Sequence, residues 1–62
     1  MCDTTVYVIS GDSQETVMES VQLIRPEKEG IYMKNLFGEE TVFRGTIKEV
    51  SLSSGRVILE RA

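Results

Sequence analysis

The strongest nucleophile and softest metal ligand of this chain is a thiol that occurs once, at Cys2, directly behind Met1. Four uses are open to it. It can pack as a small apolar side chain ahead of the first strand. It can carry a lipid, which requires an export signal, but the first ten residues hold no lysine or arginine and so no basic leader segment. It can act as an amino-terminal nucleophile after loss of Met1, with its own amine as base. That chemistry also needs an oxyanion hole and a cavity of roughly 300 Å³ or more, a heavy demand on so short a chain. The fourth use is metal binding. A cysteine beside the amino terminus offers a thiolate and a backbone or terminal nitrogen in one chelate ring. Such donors in a plane suit Ni(II) or Cu(II), whereas a tetrahedral thiolate site suits zinc. One chain supplies too few ligands. Two chains meeting on a two-fold axis supply two sulfurs and at least two nitrogens, enough for a square-planar site. On this reading Cys2 is half of a metal site in a homodimer.

Other chemistry is scarce. The chain has no histidine, so neither a Ser-His-Asp nor a Cys-His pairing exists and the commonest metal ligand is missing. The glycines match neither a dinucleotide fingerprint nor a phosphate loop. These gaps point away from an enzyme. Seven basic against ten acidic residues give a net charge of −3, and Arg25, Lys28, Lys34, Arg44, Lys48, Arg56 and Arg61 are scattered. Without a basic stripe, a nucleic-acid partner is disfavoured. Glu39 and Glu40 sit together in a turn and the other glutamates are dispersed, as on a solvated surface. Tyr7, Tyr32, Phe37 and Phe43 are candidates for a base-stacking platform. In a domain this small, Phe37 and Phe43 read more simply as core, and the tyrosines as half-buried strand residues.

The elements that must position these residues read as strands. Turn signals recur at Gly11-Asp12-Ser13, at residues 26–30 from Pro26 to Gly30, at Gly38-Glu39-Glu40 and at Ser53-Ser54-Gly55. Between them lie runs rich in β-branched and aromatic residues: 4–10, 31–36, 41–44, 46–52 and 56–60. Short strands punctuated by glycine turns predict a small all-β barrel or sandwich of short antiparallel strands, formed by the 62 residues as one domain. Gly45, inside a strand pattern, predicts a bulge or a sharp bend. Residues 13–25 are ambiguous. Asp12-Ser13-Gln14-Glu15 has capping-box spacing with Val17, Val21 and Ile24 following at helical intervals. A strand through Val17, Val21 and Leu23 fits with Glu19 as its one misfit, and flanking strands joined by tight turns favour it. Pro26 is expected to close that run and hold Arg25 extended. No apolar run approaches the ~20 residues of a membrane span, and the composition predicts a soluble, cytoplasmic protein.

The segments Met1-Cys2, Val6-Tyr7-Val8, Val17-Met18-Glu19-Ser20-Val21 and Leu36-Phe37-Gly38-Glu39-Glu40 follow in order. They lead to a tail of Gly45-x-Ile47-x-x-Val50-x-Leu52-x-x-Gly55-x-x-x-Leu59. Together they resemble the CooT family of small nickel-binding proteins over essentially the whole chain. The resemblance implies a homodimer of compact SH3-like or Sm-like β-barrel subunits, with Ni(II) held at the dimer interface through Cys2. It implies a role in delivering nickel to carbon monoxide dehydrogenase. The family also carries an older label of RNA-binding protein, an inference from the barrel, and an RNA-binding barrel is the alternative reading.

Overall fold

The computed structural model describes residues 4–62. Seven strands follow one another: β1 (Thr5–Ser10), β2 (Ser13–Met18), β3 (Val21–Glu27), β4 (Gly30–Asn35), β5 (Glu40–Phe43), β6 (Gly45–Ser51) and β7 (Arg56–Arg61). They form two hydrogen-bonded sheets, one ordered β2-β1-β7-β6 and the other β3-β4-β5. Among the described residues, no helix is long and apolar enough to cross a membrane.

The expectation of antiparallel strands needs one correction. β1 and β7 run parallel, with Val6 opposite Val57 and Val8 opposite Leu59. The other four pairings are antiparallel. A parallel pair requires a long connection, and here all the intervening strands provide it. Seating the last strand between β1 and β6 puts it at the centre of its sheet. Val57, Ile58 and Leu59 are accordingly all buried, the continuous apolar run of a strand covered on both faces.

Side chains alternate across each strand, and paired residues share a face. That rule gathers Val6, Val21, Ile31, Met33, Val57 and Leu59 between the sheets, with Val17, Met18, Ile24, Phe43 and Ile47 packed at the margin. Full burial of each such side chain stabilises the fold by about 1.5–3 kcal/mol. The register slips once between β1 and β2, where Val6 faces Met18 but Tyr7 faces Thr16. Val17 is the extra residue of this bulge. Both Val17 and Met18 then reach the core, which strict alternation forbids.

Residues 13–25 are strand, not helix, but in two pieces. β2 ends at Met18, Ser20 adopts a left-handed φ of 56°, and β3 begins at Val21 in the other sheet. The misfit Glu19 marks this break. Pro26 does not close the run, since β3 continues to Glu27. It is tolerated because β3 lies at a sheet edge, where a missing N–H costs no ladder bond. Gly45 is the expected bend. It opens β6 where the chain crosses from the three-stranded to the four-stranded sheet. A Cβ there would overlap the Glu60 carbonyl oxygen and come within 2.7 Å of the Phe43 ring.

Candidate functional site

Cys2 lies outside the described residues, as do Met1 and Asp3. The structure does place the point where the chain reaches them. Thr5 N donates to Gly55 O at 2.9 Å, and Val21 N donates to Thr4 O at 2.9 Å. Thr4 is therefore flanked on one side by the β6–β7 turn and on the other by the β2–β3 link. Leu36 N donates to Ser20 O at 2.8 Å, which brings the β4–β5 turn to the same end of the molecule. Strand direction gives the same result: β1, β3, β5 and β7 start at this end, and β2, β4 and β6 finish there.

This end is apolar to a degree the sequence does not advertise. Leu52 is 90% exposed and Val50 52%, on the Gly55 side of Thr4. Val50 is paired with the core residue Val57 and so stands on the inner face of its sheet, yet it is left half uncovered. On the Ser20 side, Leu36 is 53% and Phe37 75% exposed. The expectation that Phe37 is core is thus wrong, whereas Phe43 does pack on the core and both tyrosines are half-buried.

What holds the Leu36–Phe37 turn is Asn35, a residue the sequence reading passed over. It is buried to 3% exposure, and its Oδ1 accepts from Phe37 N at 3.0 Å and Glu39 N at 2.9 Å. Its Nδ2 donates to Glu39 Oε1 at 2.6 Å. Asn35 N donates to Glu39 O and Gly38 N donates to Asn35 O, so all five backbone N–H groups from Asn35 to Glu39 have acceptors. Gly38, at φ 83°, supplies the conformation that a side chain would resist. An asparagine two residues before a turn is a known signal, because its side chain can mimic the backbone. With the chain anchored by Asn35, Phe37 is free to point outward.

The two turn carboxylates are engaged within the chain. Glu39 binds Asn35, and Glu40 accepts the Tyr32 hydroxyl at 2.6 Å. That bond, with partial burial adding to it, raises the Tyr32 phenol above its ordinary value. Arg25 lies over the Tyr32 ring at 4.8 Å and pairs with Glu27 at 3.0 Å. Among the described residues, no three acidic or sulfur side chains gather into a group able to hold a metal ion.

The four aromatics do not form one platform. Tyr7 alternates with buried Val6 and Val8 and so faces outward on the four-stranded sheet. Tyr32 faces outward on the three-stranded sheet, between buried Ile31 and Met33. Phe43, opposite Ile31, faces inward, and Phe37 stands at the end.

Comparison with known proteins accords with this architecture. The crystal structure of a protein assigned as CooT from Carboxydothermus hydrogenoformans superposes with a TM-score of 0.92 at 33% identity, over 98% of each chain. An uncharacterised protein of Methanocaldococcus jannaschii is 28% identical over 60 residues, 97% of this chain and 98% of that one. The family model described as CO dehydrogenase accessory protein CooT matches residues 1–60, Cys2 included, and the chain therefore belongs to the CooT family.

Proposed function

We propose that this protein is a non-catalytic, nickel-binding accessory protein for carbon monoxide dehydrogenase. On this reading the 62 residues act as one domain, and the two sheets close into an SH3-like or Sm-like barrel across the joins at Ser20 and Arg44. Two copies pair and hold one Ni(II) between their Cys2 thiolates and neighbouring backbone nitrogens. Nickel here is cargo. The observation that carries the proposal is the family match, which spans Cys2 and describes an accessory to a carbon monoxide dehydrogenase.

The donor chemistry fits. A thiolate with an adjacent nitrogen suits Ni(II), and the carboxylates of the β4–β5 turn are occupied by Asn35 and Tyr32. The shape of the molecule fits as well. Thr4 stands two residues from Cys2 at the end where Val50 and Leu52 are exposed. A second copy seated there would cover them and bring the two thiols towards one axis.

The test is a titration with Ni(II), followed by thiolate-to-metal charge-transfer absorption. Saturation is expected at one metal per two chains, with affinity falling as pH falls because bound sulfur must be deprotonated. Cys2→Ser is expected to lose the absorption and the binding. Equal nickel affinity in Cys2→Ser would refute the site.

A further inference from the structure

We propose that the Leu36–Phe37 turn is a preformed docking knob for a protein partner that presents an apolar pocket rimmed by lysine or arginine. Resting on the accessory reading above, that partner is the client enzyme. Exposure, rigidity, charge and position lead there. Phe37 is 75% and Leu36 53% exposed, at the tip of a turn whose five successive N–H groups are all bonded. The aromatic anchor therefore loses little conformational freedom on binding, the condition under which one buried side chain dominates an interface. The knob is convex, so it enters a pocket rather than forming one.

The charges around it select the partner. Glu39 and Glu40 lie at the base of the knob, fixed by Asn35 and Tyr32, and Glu19 adjoins Ser20, which accepts from Leu36 N. Against these three carboxylates stand Lys34, paired across from Glu40, and Arg25, which lies over the Tyr32 ring and is itself paired with Glu27. A second copy docked here about a two-fold axis would set acidic collar against acidic collar, which is repulsive. A basic rim around an apolar pocket is complementary to both features. The knob also lies on the opposite flank of Thr4 from Val50 and Leu52, so a partner held by it sits beside Thr4 without competing for the proposed pairing face.

The experiment measures binding of the full-length protein to purified nickel-free carbon monoxide dehydrogenase by biolayer interferometry. Wild type is compared with Phe37→Ala and with Glu19→Lys. Phe37 is exposed, so Phe37→Ala is expected to keep the wild-type melting temperature and native mass while binding the enzyme about tenfold or more weakly. Glu19→Lys is expected to weaken binding severalfold, and added salt to weaken wild type in the same sense. Equal binding by wild type and Phe37→Ala would overturn the knob and leave the client reading standing. No binding by wild type would overturn the client reading and the knob's partner together. A fall in the native mass of Phe37→Ala would make the occupant a second copy and overturn the proposal.

Discussion

Asn35 and Tyr32 show how single side chains organise the end of the molecule around Thr4. Asn35 satisfies a turn from inside, so that two large apolar residues are pushed out of it. Tyr32 pins Glu40 at the base of the same turn. The second contact predicts a pH dependence. The Tyr32 phenol is raised, first by its hydrogen bond to the Glu40 carboxylate and next by partial burial. A raised value in the folded state means that the contact stabilises fully below the unfolded tyrosine's pKa. The contribution is then lost as pH rises through the folded value. Wild type should therefore lose melting temperature more steeply than Tyr32→Phe as pH rises above the ordinary tyrosine value of about 10. Parallel melting curves for the two proteins across that range would show that the bond contributes nothing.

Strands, bends and bulges were legible in the sequence to different degrees, and the differences have physical causes. Alternation made β1 and β4 plain, because one face of each is buried against the other sheet, and the continuous apolar run Val57-Ile58-Leu59 did the same for β7, which is covered on both faces. The parallel pairing of β1 with β7 was not legible, since a strand's own pattern does not state its neighbour's direction. The break at Ser20 was hidden as well, because a left-handed serine lacks the signature of a glycine turn. Phe37 was misplaced for a related reason: composition predicts burial, but Asn35 decides it. Cys2 was singled out on position and chemistry, and the family match spans it. Gly45 was read correctly as a bend, and its neighbourhood explains why a side chain is excluded. A Cβ would overlap the Glu60 carbonyl in the adjoining strand β7, which is backbone and cannot swing aside. Gly45→Ala should cost about 2–3 kcal/mol by overpacking. In a domain this small, that lowers the melting temperature by roughly 10 °C or more. A loss of only a degree or two would mean that the crossing between the sheets relaxes freely.

At the scale of the whole molecule, the two ends differ in character. Turns at residues 11–12 and 28–29 lie at one end, and the exposed turn residues Leu36, Phe37 and Leu52 lie at the other, around Thr4. Ordinary solvation does not explain a leucine left 90% exposed beside a half-uncovered inner-face valine. Burial by a second copy would, and the proposed nickel site asks for the same second copy to complete its sulfur and nitrogen donors. A charge placed at this point should then act on assembly and not on folding. Leu52→Lys is expected to reduce the native mass from that of a pair to that of one 7.0 kDa chain. It should also weaken Ni(II) binding, because each chain then keeps only its own donors, while the melting transition stays cooperative. Phe37→Ala, on the far flank of Thr4, should leave both mass and nickel stoichiometry as they are. If Leu52→Lys still pairs and still binds one nickel per two chains, the copies meet through some other surface, and the exposure of Leu52 and Val50 needs a different partner.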